Sequence, residues 1–334
     1  MTRSMICILV FTAALATASR PRAKEARKDP DQIGNRDVGK GLNFYSVEEE
    51  IALGRQLASQ VERQAKIVED PVISEYVNRI GQNLTRNSDV NVPVTIKVID
   101  DPQVNAFALP GGFVFVHTGL LLKADHEAEV AGVLAHELAH VAARHGTRQA
   151  SRGQIANLAS IPLIFMGGWG GYAARQAAGL AVPLTFLKYS RNFEREADLL
   201  GLQYLYKAGY DPAAMVDFFE KLESMEKEKP GTMAELFRSH PITSDRVKNT
   251  QKNIQDVLKV QPQYVLTTSE FSQVKGRLQQ MVARRNPAPN RESAPVLRRT
   301  GQGPLVAEES GARRPGERAD ERPTLRRQTS GDTL

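Results

Sequence analysis

The motif His136-Glu137-x-x-His140, inside the apolar stretch VAGVLAHELAHVAARHG (residues 130–146), constrains this chain more than any other feature. Residues four apart in an α-helix are offset by about 40° around the axis, so both imidazoles project from one face, one turn apart. Such a pair can hold one metal ion, and Glu137, offset by about 100°, can reach a water molecule bound to that ion. Neutral imidazoles suit zinc, whose catalytic sites keep one position open. An ordinary core helix is the alternative, but burying these polar groups without a partner is costly.

A second helix is expected to supply the third zinc ligand, in the stretch SRNFEREADLLG (residues 190–201). Glu194 and Asp198 are four residues apart, so Glu194 can bind the ion. Asp198, one turn later, can accept a hydrogen bond from a ligand histidine and fix its tautomer. The sequence therefore predicts one Zn²⁺ per chain, bound by His136, His140 and Glu194.

Two neighbouring residues are expected to have structural roles only. Glu196 faces another side of the second helix and is expected to be a solvated charge. His145 is expected near the C-terminal end of the first helix, where the helix dipole favours a cation.

The N-terminal residues have the pattern of an export signal. Residues 1–18 combine a basic start, an apolar run over residues 5–16 and the small-x-small sequence Ala16-Thr17-Ala18, which is typical of a signal peptide. An uncleaved anchor is the alternative. Cys7, the only cysteine, lies in this segment, so the mature protein has no disulfide and no thiolate metal ligand. We expect secretion across the inner membrane, into the periplasm.

Composition divides the rest of the chain into three parts. Residues 19–42 are polar and predict a flexible linker, and residues 43–283 predict one domain. Residues 284–334 are Arg- and Pro-rich and predict a disordered tail. The tail has 11 Arg and 7 acidic residues, so it accounts for most of the net charge of +6. The remaining charge is nearly balanced, which argues against a nucleic-acid-binding face.

Helix and strand patterns predict the fold class. Ser46 with Glu49, and Asp70 with Pro71, are typical helix starts. Residues 92–101 and Phe113–His117 alternate or are β-branched, which predicts strands. We expect an α+β fold, mainly helical, with a small β-sheet beside the active-site helix. The apolar, Gly-rich segment 155–186 is interpreted either as a lid over the cleft, which we favour, or as a peripheral membrane contact.

Four segments together resemble the HtpX/BepA-like zinc metallopeptidase family, which is related to the CAAX prenyl-protein peptidases: NAFALPGGFVFVHTGLL, EAEVAGVLAHELAHVAARHG, SRNFEREADLLG and FRSHPITSDRV. The resemblance covers about residues 92–247, and the helices from Ser46 resemble the family's N-terminal region. It implies a gluzincin-type domain with zinc on His136, His140 and Glu194, and Glu137 as base. No apolar run after residue 20 reaches the length of a membrane span, so the chain is similar to the periplasmic members.

The resemblance also implies roles for three further regions. The strand Phe113–His117 is expected to be an edge strand that pairs with an extended substrate. His240 is expected near the zinc, either as a fourth ligand or as a group that steadies the oxyanion of the transition state. Arg246 is expected to form a buried charge pair or to contact the active-site helix.

The expected function is zinc-dependent endopeptidase activity on misfolded or unassembled envelope proteins. The alternative is a chaperone-like binding protein in which the zinc site is structural or closed by His240.

Overall fold

The structure, a computed structural model, describes residues 26–156, 189–228, 240–241 and 243–285. The predicted signal peptide, residues 157–186 of the predicted lid or membrane contact, and the tail from residue 286 lie outside the described residues. The helices are α1 (Val47–Gln64), α2 (Pro71–Arg86), α3 (Thr118–Lys123), α4 (Glu127–Ala142), α5 (His145–Ala156), α6 (Arg191–Lys207), α7 (Ala213–Glu228), α8 (Ser244–Val257) and α9 (Ser269–Arg285). The strands are β1 (Thr95–Ile99), β2 (Ala106–Leu109) and β3 (Phe113–His117). The mainly helical α+β prediction is confirmed.

The predicted helix starts are present as side-chain caps. Ser46 accepts a hydrogen bond from the backbone of Glu49, and Glu49 accepts one from the backbone of Ser46, which completes a capping box for α1. Asp70 caps α2, with Pro71 in its first turn. These caps satisfy backbone N–H groups that a helix start leaves without a partner. The local sequence therefore fixes where both helices begin.

The three-stranded sheet corrects one prediction. Its order is β1-β3-β2, with β1 parallel and β2 antiparallel to β3. Phe113–His117 is therefore the central strand, and the prediction that it is an edge strand was wrong. The edge strands are β1 and β2, and β2 (Ala106–Leu109) turns into β3 through Gly111 and Gly112, with φ of 75° and 94°. Four apolar residues in a row lack the alternation that marks a strand, so this element was missed.

Helix α4 forms the centre of the domain. It packs against α2, α6, α7 and β2, and all of its residues are buried. The helix ends at Ala142, earlier than the predicted end near His145, because Arg144 adopts a left-handed conformation with φ of 55°. His145 then begins α5. This sharp turn folds the start of α5 back towards the metal-binding face of α4.

The crossing of α4 and α6 depends on one glycine. A Cβ atom at Gly201 would lie 2.9 Å from the backbone nitrogen of His136 and 3.0 Å from the carbonyl of Ala135. Only a residue without a side chain allows such a close approach. Gly201 therefore sets the distance between the two ligand-bearing helices.

Residues 26–42 differ from the predicted linker. Arg36 forms an ion pair with Asp89 in which each side chain is 2% exposed, and Arg36 also bonds to Gln203 on α6. Val38 is buried in the core. A basic side chain that reaches a buried carboxylate ties this polar segment to the domain, which composition alone did not indicate.

Candidate metal centre

Four side chains from three parts of the chain meet in the interior of the domain. His136 and His140 extend from α4, Glu194 from the first turn of α6, and His240 from the segment before α8; all four are buried. One ligand atom from each lies within 4.8 Å of the others. The structure thus brings together the residues that the sequence proposed as zinc ligands, together with His240.

Several distances between these atoms are close to those expected around a tetrahedrally coordinated ion. Nε2 of His136 lies 3.1 Å from Nε2 of His140, 3.3 Å from Nδ1 of His240 and 3.5 Å from Oε2 of Glu194. Oε1 of Glu194 lies 3.0 Å from Nδ1 of His240 and 3.6 Å from Nε2 of His140. Zinc bonds of about 2.0–2.1 Å at tetrahedral angles place ligand atoms about 3.3–3.4 Å apart. The donor set and its spacing therefore suit zinc.

The charges around the cluster favour a bound cation. Burial opposes a charge on His136, but the carboxylates of Asp198 and Glu194 outweigh it and raise the pKa of His136 to about 9. Burial lowers the pKa of His140 well below its usual value, and His136 adds to this effect. Burial acts to raise the pKa of Glu194, but His240 and His136 hold that pKa well below the usual range. Metal binds to ionised carboxylates and neutral imidazoles, so Glu194 and His140 are in the forms that bind metal, whereas His136 gives up a proton when the ion binds.

Glu137 lies beside the cluster with one oxygen fixed and one free. The backbone N–H of Ala108 in β2 donates to Oε2 of Glu137 at 2.9 Å. Among the described residues, neither Oε1 of Glu137 nor Nε2 of His240 has a hydrogen-bond partner, and 3.6 Å separates them. Burial raises the pKa of Glu137. The carboxylate is therefore held by strand β2, with its second oxygen beside the ring of His240.

Asp198 and Arg246 support the ligands from behind. Oδ1 of Asp198 lies 3.1 Å from Nδ1 of His136. Arg246 donates to both oxygens of Asp198, at 2.6 and 2.8 Å, and its Nη1 lies 3.0 Å from Glu194. The same guanidinium donates to the backbone oxygens of His240 and Pro241. Arg246 thus links α6 to the segment that carries His240.

Sequence reasoning missed a second polar network behind His140. Nδ1 of His145 lies 2.9 Å from Nδ1 of His140, and its Nε2 lies 3.2 Å from Glu196. Glu196, expected to be solvated, also pairs with Arg27 and Arg148. Burial lowers the pKa of His145, which argues against the predicted helix-end cation. The turn at Arg144, which sequence patterns did not reveal, creates this contact.

Tyr189 is another neighbour that the sequence did not suggest. Its ring stacks on His140, with 4.0 Å between ring centroids and 18° between the planes. This contact restricts rotation of the imidazole.

A mostly apolar cavity opens next to Glu137. It is small, since the space open to a water-sized sphere is about 20 Å³, and its apolar lining comprises Val133, Phe218, Phe219 and Leu222. Helix α7 supplies three of these four side chains. The cavity reaches His136, His240 and Arg246, so it adjoins the metal cluster directly.

A buried His-His-Glu cluster on two crossing helices, with a glutamate beside it, is the arrangement typical of zinc metallopeptidases. The chain belongs to peptidase family M48, whose profile matches residues 71–254, more than half of the sequence. The resemblance seen in the sequence motifs is therefore confirmed.

Individual relatives agree with the family. A putative beta-barrel assembly-enhancing protease of Vibrio cholerae is 33% identical over 261 residues, which cover 75% of this chain and 52% of the relative. The beta-barrel assembly-enhancing protease of Escherichia coli K12 is 27% identical over 82% of this chain and 56% of the relative. Metalloprotease LoiP of the same organism is 30% identical over 59% of this chain and 77% of the relative. The chain spans about half the length of the beta-barrel assembly-enhancing relatives.

None of the helices in the described part of the chain combines the length and the hydropathy that a membrane span needs.

Proposed function

We propose that this protein is a zinc-dependent endopeptidase in which His136, His140 and Glu194 hold the ion and Glu137 is the general base. The observation that carries the proposal is the buried cluster of four ligand atoms within 4.8 Å of one another, adjoined by a carboxylate oxygen that has no hydrogen-bond partner among the described residues. Membership of peptidase family M48 supports it.

The residues divide the chemistry between them. When bound, zinc would polarise the peptide carbonyl and lower the pKa of water. Glu137 accepts the proton of the attacking water at Oε1 and delivers it to the leaving amine. Burial shifts the pKa of Glu137 upwards, towards neutral pH, and a pKa near the working pH suits a group that both accepts and donates a proton. The bond from Ala108 keeps the carboxylate in one orientation throughout.

His240 has two candidate roles in this reaction. It either completes the ligand set of the resting enzyme or, once displaced by substrate, donates to the oxyanion through its second ring nitrogen. Its position against Glu194 and Glu137 is compatible with both. Activity and zinc affinity both unchanged in His240→Ala would exclude both roles.

Substrate is proposed to bind along β2, in place of the central strand that the sequence suggested. In the antiparallel ladder, Asn105 accepts from His117, and Phe107 pairs with Phe115. Ala106 and Ala108 therefore direct their backbone groups away from β3, towards the side where Glu137 lies. An extended polypeptide that pairs here has its backbone beside the metal cluster. Backbone hydrogen bonds then provide most of the binding, so recognition depends little on the side chains of the substrate.

The apolar cavity is proposed to accept a side chain adjacent to the scissile bond. Its lining by α7 favours an apolar residue over a charged one, because a charge would lose hydration there. Mapping of cleavage positions in unfolded substrates tests this. Cleavage predominantly beside Asp or Glu would contradict it.

Misfolded or unassembled envelope proteins are the proposed natural substrates, and the periplasm is the proposed location. The similarity of the chain to beta-barrel assembly-enhancing proteases supports this choice. Unfolded envelope chains expose apolar residues in extended form, which matches both the edge strand and the apolar cavity.

Incubation of the purified mature protein with casein tests the proposed activity. We expect cleavage that a chelator stops and added zinc restores, and no cleavage by Glu137→Gln. Cleavage by Glu137→Gln at the wild-type rate would contradict the assignment of the base.

A chaperone-like binding protein is the second candidate, and one observation favours it. His240 occupies the fourth corner of the cluster, where a catalytic zinc site keeps an open position. If this histidine closes the site permanently, the wild type and His240→Ala will both bind unfolded casein without cutting it. Cleavage by either protein excludes this candidate.

A further inference from the structure

The network behind His140 forms a continuous chain of hydrogen-bonding groups. It runs from Nδ1 of His140 to Nδ1 of His145 at 2.9 Å, and from Nε2 of His145 to Oε2 of Glu196 at 3.2 Å. The His145 side chain is fully buried and stacks on Phe193, with 4.3 Å between ring centroids. Each nitrogen of His145 thus has one polar partner.

The chemistry of the last group sets the direction of both bonds. An ionised carboxylate only accepts hydrogen bonds, so Nε2 of His145 carries the hydrogen. A neutral ring that donates from Nε2 can only accept at Nδ1. His140 must then donate from Nδ1, which leaves the lone pair on its Nε2. That atom lies 3.1 Å from Nε2 of His136, inside the cluster.

Two arginines keep the carboxylate of Glu196 in place. Arg27, from the N-terminal part of the chain, lies 2.7 Å from Oε1, and Arg148 lies 3.4 Å from Oε2. Both cations favour the ionised, acceptor-only form of Glu196. Asp198 contacts His136 directly, whereas the corresponding carboxylate for His140 acts through an intervening imidazole.

We propose that His145 and Glu196 are positioning residues that fix His140 in the tautomer whose Nε2 binds the metal ion. The proposal rests on the zinc site proposed above. The sequence predicted His145 to be a helix-end cation and Glu196 to be a solvated charge. Neither of those roles would affect a metal ligand, so the proposal replaces both.

Histidine tautomers in the full chain provide the direct test. The protein is labelled with ¹⁵N-histidine, and ring nitrogen shifts are recorded in the metal-free protein and after zinc addition. Zinc affinity is measured by competition with a chelating dye. Four variants are compared: His145→Phe, His145→Asn, Glu196→Gln and, as control, Arg195→Ala, whose side chain is an exposed neighbour on α6.

In the wild type and the control, we expect His140 to carry its hydrogen on Nδ1 before zinc is added. His145→Phe keeps the ring stacked on Phe193 but removes the acceptor, so the Nδ1–H tautomer loses its preference and zinc affinity falls by about 10–100-fold. His145→Asn retains an acceptor oxygen near the position of Nδ1, so we expect a smaller loss of affinity. Glu196→Gln weakens the acceptor and should lie between the wild type and His145→Phe.

A packing role for His145 predicts the opposite order, with His145→Phe close to the wild type and His145→Asn impaired. That order, or an Nε2–H tautomer of His140 in the metal-free wild type, would overturn the proposal. If His145→Phe does not fold, Glu196→Gln still decides, because the proposal predicts a loss of zinc affinity in that variant and a packing role of His145 predicts none. A wild type that binds zinc without cleaving peptide would refute the proposed function and leave this inference intact.

Discussion

Replacement of Arg246 by alanine probes how the ligand-bearing elements are held together. The guanidinium is 5% exposed and donates two bonds to Asp198, while a third nitrogen contacts Glu194. Removing it leaves two buried carboxylates without their cation and two backbone oxygens without their donor. Breaking a buried ion pair by removing one partner costs about 3–5 kcal/mol. This is a large share of the about 5–15 kcal/mol that stabilises a typical domain.

The assay is urea denaturation of the metal-free protein at neutral pH, with Arg277→Ala as the matched control. Arg277 pairs with Asp70 at 2.7 Å, but its side chain is 52% exposed. Exposed pairs contribute about 0–1 kcal/mol, so the control should unfold almost like the wild type. If Arg246→Ala lowers the free energy of unfolding by less than about 1 kcal/mol, as the control does, Arg246 does not hold the ligand-bearing elements together.

The pH dependence of the same variant gives a second check. In the wild type, burial acts to raise the pKa of Asp198, but Arg246 outweighs it and the pKa is lowered. That stabilisation is present above the unfolded pKa and is lost as pH falls through the folded pKa. In Arg246→Ala, burial acts without its main counterweight, so the carboxylate destabilises the fold at neutral pH. We expect the deficit to shrink as pH falls from about 7 to about 5; a constant deficit would contradict this explanation.

Three further substitutions have defined outcomes. Glu137→Gln should lower the rate of peptide cleavage by at least about 10²–10⁴-fold with unchanged zinc content. Because burial raises the pKa of Glu137, this variant should also have a higher melting temperature than the metal-free wild type at neutral pH; a lower one would argue against a strained carboxylate. Gly201→Ala should lower the free energy of unfolding by about 1–3 kcal/mol and weaken zinc binding, since the added methyl meets the backbone of His136 at 2.9 Å. An unchanged zinc affinity would show that the close approach of α4 and α6 at this glycine does not determine zinc binding. Arg36→Ala should destabilise the protein by about 3–5 kcal/mol and expose residues 26–42 to trypsin, whereas Lys40→Ala, an exposed neighbour, should do neither.

The sequence predicted most of the elements that carry the site because their signals are local. HExxH places two imidazoles on one helix face, and the spacing of Glu194 and Asp198 does the same for two carboxylates. Ser46 and Asp70 mark helix starts through their own backbone contacts.

What the sequence did not predict depends on contacts between distant segments. The edge strand Ala106–Leu109 is short and uniformly apolar, so only its pairing with β3 identifies it. The approach of His145 to His140 requires the left-handed turn at Arg144, which is unusual for a non-glycine residue. The packing of residues 26–42 depends on Asp89, more than fifty positions away from Arg36. No local pattern encodes these pairings.

Zinc titration of the chelator-treated protein tests the central claim most directly, with bound metal and casein cleavage measured in the same samples. We expect cleavage to rise in proportion to zinc up to one equivalent per chain and then to level off. Glu137→Gln should take up the same single equivalent without cleaving. Binding of one equivalent with no cleavage by either the wild type or His240→Ala would contradict a peptidase and favour a binding protein with a closed zinc site.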